Sequence, residues 1–291
     1  MLGARDLLRR IRSIGNTAKI TNTMQMVAAS KMRKAQQAAL AGRPFVRLLY
    51  RIQRKATTQA VDFAHPLLEK REVGKRAVII IGTDKGLCGS LNGNLFRQAA
   101  AFDKATTTYV AVGKKAGQFI ARSGRNLAAE FTFSDAPRFH EAKRVATFAR
   151  DLFLTSEVDE VRVVASHFVN TLRQTAVTLD FLPVGAIGGI RLEGAENEAE
   201  LAAHANDYRF EPSPEDVLGY LLAQYLDIFI FQVMLNAKAS EQSARMVSMK
   251  SATESAEGLI KDLTLEYNKL RQGAITTELL DIAGGQESTG E

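Results

Sequence analysis

The hydrophobic pattern divides this chain of 291 residues into two helical ends and a middle in which strands and helices alternate. In both ends, apolar or small residues recur at alternating steps of three and four positions, which is the repeat of a supercoiled helix. We therefore predict that residues 1–58 and 212–284 form two long helices. Their predicted seam positions are Leu7, Ile11, Ile14, Ala18, Thr21, Gln25, Ala28, Met32, Ala35, Ala39, Gly42, Val46 and Leu49 in the first helix and Leu221, Ile228, Phe231, Leu235, Met249, Ala252, Ala256, Leu259, Leu263 and Leu270 in the second.

The two predicted helices are longer than a compact domain of this mass is wide, because a rise of 1.5 Å per residue gives rods of roughly 85 and 110 Å. Gly42 and Pro44 interrupt the first repeat. A proline inside a helix removes a backbone hydrogen bond, so we expect a bend within residues 40–44. Gln242 and Arg245 fall on or near the second seam. They predict locally weaker pairing and a stretch of helix that faces other chains.

The middle of the chain alternates apolar runs with helical patterns, which is typical of an open, largely parallel sheet with helices packed on it. The predicted fold class is therefore α/β, with a long antiparallel two-helix coiled coil formed by the ends and an inserted Rossmann-like domain. We predict domains at 1–60, 75–205 and 210–286. The predicted strands are 76–82, 106–112, 129–133, 160–168 and 175–184, the helices are 90–104, 114–122 and 138–154, and residues 185–209 are read as a loop region.

Charge is distributed unevenly along the chain. Residues 1–58 carry a net charge of +12, residues 59–211 are neutral, and residues 212–291 carry −6. This distribution predicts that the basic and acidic ends pair, with positive surface left for an acidic partner. Nucleic acid is disfavoured as that partner because the basic end has only Phe45 and Tyr50 as stacking residues. No apolar run is long enough to cross a bilayer, so we predict no direct membrane insertion.

The candidate chemical motifs do not form an active site. The glycine-rich segment 82–90 (GTDKGLCGS) follows a predicted strand and precedes a helix, where a phosphate-binding loop would lie. Its spacing matches neither a P-loop nor GxGxxG, so we interpret it as a structural turn. Cys88 is the single cysteine, which excludes an internal disulfide, and it is expected to be a small buried thiol. The four histidines lack metal-ligand spacing, so no metal or cofactor is predicted.

Four long motifs resemble the gamma-subunit family of the rotary proton-driven ATP synthase. They are residues 20–34 (ITNTMQMVAASKMRK), 84–92 (DKGLCGSLN), 239–253 (ASEQSARMVSMKSAT) and 267–279 (YNKLRQGAITTEL). The resemblance implies a non-catalytic central shaft that couples proton flow through a membrane ring to ATP synthesis or hydrolysis. The implied partners are the alpha and beta subunits of the catalytic ring, an epsilon-type subunit and the membrane ring of c subunits. The implied location is peripheral, on the cytoplasmic face of a bacterial inner membrane, with a mitochondrial membrane less favoured.

The resemblance also implies which residues contact these partners. Arg271 and Gln272 match the family's polar contacts to a beta-subunit loop, called the catch. A second set matches positions that meet an acidic lever segment of the beta subunits, and a third matches the foot on the membrane ring and epsilon-type subunit. The residues that match the lever-contacting positions are Lys31, Arg33 and Lys34, with Met24 in the same motif. The residues that match the foot are Asp207, Tyr208, Phe210 and Glu211.

Two other functions stay open at this point. An α/β nucleotide-binding enzyme with helical extensions would bind nucleotide as an isolated chain. A basic coiled-coil adaptor would bind anionic lipid or DNA with a steep dependence on salt.

Overall fold

The computed structural model describes residues 4–42, 64–184, 211 and 213–287. It divides into two compact units, one made of Met1–Ala28 with Arg245–Glu291 and the other of Ala29–Ala244. The helices are α1 (Ala4–Ala41), α2 (Leu91–Ala100), α3 (Lys114–Arg122), α4 (Phe139–Leu154) and α5 (Pro214–Glu287), with a 3₁₀ turn at Pro66–Leu68. The strands are β1 (Arg76–Ile81), β2 (Thr107–Val112), β3 (Asn126–Phe131), β4 (Glu160–Phe168) and β5 (Gln174–Leu182).

In the first unit, the start of α1 and the end of α5 pair side by side and antiparallel. A side chain at Gly15 would meet Ile260 at 4.0 Å. Six residues further along α1, the Thr21 hydroxyl lies 2.7 Å from the hydroxyl of Thr253. An advance of six residues in one helix thus corresponds to a retreat of seven in the other. The predicted antiparallel coiled coil is confirmed.

The seam of α1 follows the predicted repeat throughout the described residues. Every predicted position from Leu7 to Gly42 is buried or partly buried. Many of these residues are small, so the two backbones approach closely. In α5 the predictions of Leu259 and Leu270 were wrong, because these side chains are 53% and 36% exposed, and Ile260 and Tyr267 are partly buried instead. The seam there steps by four residues after Ala256, where we expected three.

The second unit contains a five-stranded sheet in the order β3-β2-β1-β4-β5. Strands β1 to β4 run parallel, and β5 pairs with β4 in the antiparallel sense. Alternate residues of the buried strands point to opposite faces. One face packs on α2 and α3, and the other packs on α4 and the first part of α5. The predicted α/β fold is confirmed.

Three boundaries differ from the prediction or lie beyond it. Strand β3 begins at Asn126, three residues early, because this edge strand is largely exposed and shows no clear alternation. Helix α1 ends at Ala41, and the rest of the helix predicted to residue 58 lies outside the described residues. Pro44 and the predicted loop 185–209 lie outside the described residues.

The beginning of α5 is fixed by its local sequence. The Asp216 backbone N–H donates to the Ser213 side-chain oxygen at 3.1 Å, and Glu215 and Asp216 place negative charge in the first turn. Further along, residues 225–230 are buried without interruption, as in a helix that is covered all round. Helix α5 is long and apolar enough to cross a membrane, but more than half of its most apolar window is buried within the protein. The buried core helix of a soluble protein can have the same length and hydropathy.

We predict that cysteines introduced by Gly15→Cys and Ile260→Cys are joined by a short bifunctional reagent, because these positions face each other across the seam. The matched pair Gly15→Cys with Leu279→Cys should give no product, since nineteen residues of helix separate the two acceptor positions by about 28 Å. The measurement is mass spectrometry of the digested product. Crosslinking of the second pair in preference to the first would contradict the described register.

Candidate functional site

The paired helices of the first unit expose large apolar side chains outside their seam. In α1, Met24 is 39% exposed and Met26 is 59% exposed. A two-helix structure has too little interior to bury such residues, and large apolar side chains that stay exposed are available for contacts with a partner. The predicted contact position Met24 therefore lies on the outer surface. We call this set the apolar sleeve face: Ile20, Met24, Met26 and Val27 in α1 and Leu259, Leu265, Leu270, Ile275, Leu279 and Leu280 in α5.

The end of α5 is described without a helix beside it. The register that sets Gly15 beside Ile260 brings Ala4, the first described residue of α1, level with about residue 271. Every side chain from Arg271 to Leu280 is exposed. The predicted pair Arg271 and Gln272 thus lies on an exposed stretch of α5, where both side chains are accessible to a partner.

The predicted basic cluster of α1 lies in the second unit. Arg33 and Lys34 are exposed. Lys31 instead donates to Asp135 in the loop between β3 and α4. The other oxygen of Asp135 lies 3.0 Å from the ammonium of Lys238 in α5. These hydrogen bonds outweigh partial burial and lower the pKa of Asp135 to about 2.

Polar side chains of α5 dock on the α/β domain. Ser240 donates to the carbonyl of Ser166 at 3.2 Å, and Ser243 donates to the carbonyl of Thr171 at 2.8 Å. Gln242 lies in the same turn and is 2% exposed. The expectation that Gln242 turns this part of the helix toward other chains was wrong, because the domain of the same chain covers it. Buried polar groups require partners, and here the end of β4 and the β4–β5 turn provide them.

The glycine-rich loop after β1 is closed by its own polar groups. The Asn92 side-chain amide donates to the Thr83 hydroxyl at 2.8 Å, and Asp84 accepts the first backbone N–H of α3, that of Lys114, at 3.0 Å. Asp84 therefore occupies the helix terminus that an anion would use. Cys88 is buried against Leu91 and Ala244, as expected.

A model of the ATP synthase family matches residues 3–289. The chain is 45% identical over 295 residues to the ATP synthase gamma chain of Methylacidiphilum infernorum isolate V4, with complete coverage of both. It is 43% identical to that of Opitutus terrae, with 98% of each covered. The chain belongs to the ATP synthase gamma chain family.

Solved structures share the fold of this gamma chain family. A chain of the mitochondrial ATP synthase of Euglena gracilis, determined as the OSCP/F1/c-ring assembly, superposes with a TM-score of 0.65 at 18% identity, covering 98% of this chain and 94% of that one. A chain of the central stalk and c-ring structure from Tetrahymena thermophila superposes with a TM-score of 0.59 at 23% identity, covering 80% and 99%. At these identities the similarity establishes the architecture.

The predicted foot lies at the limit of the described structure. Glu211 is exposed, whereas Asp207, Tyr208 and Phe210 lie outside the described residues. Within the part of the chain that the structure describes, no group of three or more His, Cys, Asp or Glu side chains is placed to hold a metal ion. The polar docking of α5 and the double ion pair of Asp135 were not predicted, because only the fold brings those residues together.

We predict that Lys85→Ala leaves nucleotide turnover of the assembled ATP synthase unchanged, because Asp84 and Asn92 already satisfy the loop around it. The measurement is the steady-state rate of ATP hydrolysis per assembled complex. Lys115→Ala, which alters a lysine at the start of α3, is the matched control. Loss of nucleotide binding by an assembled Lys85→Ala complex would show that the loop has a nucleotide-binding role.

We predict that Asp135→Asn reduces the free energy of unfolding near neutral pH and that this difference from wild type shrinks in acid. Because the folded state lowers the pKa of Asp135 from 3.8 to about 2, its ion pairs stabilise the fold above pH 3.8 and are lost as pH falls toward 2. Urea unfolding at steps from about pH 6 to about pH 3 measures the difference. A difference that stays constant or grows in acid would contradict this assignment.

Proposed function

We propose that this chain is the central rotor shaft of a proton-driven ATP synthase, coupling proton flow through a membrane ring to conformational change in the catalytic subunits. The observation that carries the proposal is the apolar sleeve face of the paired helices. Family membership places the chain in an ATP synthase, and a long helix pair with exposed apolar side chains fits the interior of a surrounding ring.

The shaft acts by contacting each catalytic subunit differently. Two unlike helices present a different set of side chains in every direction, so neighbouring subunits of a ring meet different surfaces. A partner conformation is favoured only by a difference in contact free energy. Rotation of the helices carries each contact pattern from one subunit to the next. The chain itself needs no catalytic residue, and we assign nucleotide chemistry to the alpha and beta subunits.

We assign the contact surfaces as follows. The exposed Arg271 and Gln272 are the catch toward a beta subunit, and the exposed Arg33 and Lys34 meet an acidic segment of the beta subunits. Lys31 joins this surface with the part of its side chain that stays exposed, 42%. Met24 contributes an apolar contact. The foot, which includes Asp207, Tyr208, Phe210 and Glu211, contacts the epsilon-type subunit and the membrane ring of c subunits.

The domain limits 1–60, 75–205 and 210–286 fit this assignment, with the α/β domain outside the catalytic ring. We place the complex on the cytoplasmic face of a bacterial inner membrane, since the relatives named above are bacterial proteins. A nucleotide-binding enzyme is the weaker candidate because Asp84 occupies the anion position at the start of α3. A DNA adaptor leaves the apolar sleeve face unexplained, and a lipid adaptor leaves the match to the ATP synthase family unexplained.

We predict that Arg271→Ala combined with Gln272→Ala lowers both ATP hydrolysis and ATP synthesis while the complex still assembles. Both side chains are exposed in the described chain, so their removal does not disturb its packing. Hydrogen bonds to a charged partner contribute roughly 1.5–3 kcal/mol each, which is sufficient to bias one subunit conformation about tenfold. Turnover per complex, with assembly verified by native mass spectrometry, measures the effect.

The matched control is Lys261→Ala, which removes an exposed charge elsewhere on α5. It should preserve both rates. Wild-type turnover in an assembled double variant would show that Arg271 and Gln272 form only a solvated helix surface. Absence of the chain from the purified complex would overturn the proposed function itself.

A further inference from the structure

The loop between β3 and α4 presents one carboxylate to both long helices within the second unit. One oxygen of Asp135 accepts from Lys31 of α1, and the other lies 3.0 Å from the ammonium of Lys238 of α5. The loop is itself fixed, because the Ser134 backbone N–H donates to the Glu141 carboxylate at 3.0 Å. The three elements therefore meet at a single residue.

Lys238 is the rigid member of this cluster. Its side chain is 6% exposed, lies 3.1 Å from the buried carboxylate of Glu241 and stacks over the Phe133 ring at 5.6 Å from the centroid. The Lys31 side chain is 42% exposed. Exposed ion pairs are weak, whereas disruption of a buried pair is strongly unfavourable. Asp135, whose own side chain is 56% exposed, thus joins a buried ammonium on α5 to a partly exposed ammonium on α1.

We propose that Asp135 is a positioning residue for coupling, which transmits torque between the α/β domain and the two helices. The inference rests on the proposed rotor function and adds a residue to it. Each carboxylate oxygen binds a lysine from a different helix. A twist of the helix pair past this loop, in either sense, moves one lysine away from Asp135. The cluster therefore resists rotation in both directions, as synthesis and hydrolysis require.

A rotor that turns against a load should depend on the ion pairs of Asp135 more than an unloaded rotor does. When the membrane ring is uncoupled, little torque passes through the α/β domain, and the hydrolysis rate should not depend on the stiffness of this joint. When rotation works against a proton gradient, slack at the joint dissipates part of each step. Replacement of Asp135 should consequently alter the ratio of the coupled rate to the uncoupled rate, which a purely structural defect would not do.

The test uses the complete complex in liposomes, with uncoupled ATP hydrolysis and gradient-driven ATP synthesis measured on the same preparation. For Asp135→Asn we expect unchanged uncoupled hydrolysis and a synthesis rate lowered about twofold or more, because the amide loses the negative charge and keeps only one acceptor oxygen for the two lysines. Asp135→Glu, which keeps the carboxylate, should restore most of the synthesis rate. Asp151→Asn, an exposed position on α4, is the matched control and should behave as wild type.

Equal ratios of synthesis to hydrolysis in Asp135→Asn and Asp151→Asn would overturn the proposal. So would a proportional loss of both rates, which indicates an assembly defect, or a failure of Asp135→Glu to restore synthesis. These outcomes are separate from failure of the rotor function. A complex prepared without this chain that still synthesises ATP at the wild-type rate would overturn the rotor function, whatever Asp135 does.

Discussion

One uninterrupted helix, α5, has to be stable in two different environments, and much of the structure follows from that constraint. Over residues 225–230 it is buried within the α/β core, where Leu226 and Ile230 are almost completely inaccessible to solvent. From Arg245 onward it belongs to the helix pair, and only one stripe of side chains is covered. The sequence satisfies both demands by changing from apolar residues on all sides to a repeat of three and four residues.

The change between these patterns is made with buried polar residues. Lys238, Ser240, Glu241, Gln242 and Ser243 are each no more than 5% exposed. Buried polar side chains stabilise a fold only when they have partners, and they then permit one arrangement of the backbone in preference to others. Lys238, Ser240 and Ser243 find partners in the loop after β3, the end of β4 and the β4–β5 turn. This polar contact fixes the rotational setting of α5 on the domain, which apolar packing alone would define less well.

The parts of the fold that depend on periodicity could be predicted from the sequence, and the parts that depend on long-range polar contacts could not. The α1 seam and the strands β1, β2 and β4 followed the expected pattern because local burial dictates it. Leu259 was misplaced because a step of three from Ala256 reaches Leu259 and a step of four reaches Ile260. Both residues are apolar, so the pattern alone does not distinguish the two steps. The partner of Lys238 is Asp135, more than one hundred residues away, and no local spacing marks that pair. The contact residues Arg271 and Gln272 came from a family resemblance, and the structure adds their exposure.

The functional account depends on rotation of this chain inside a fixed ring. The native thiol of Cys88 is buried, so Arg122→Cys at the exposed end of α3 provides an accessible attachment point for a bead. With the catalytic ring immobilised and ATP supplied, the account predicts that the bead rotates in one direction and stops when ATP is removed. A stationary bead on complexes that hydrolyse ATP at the normal rate would contradict it.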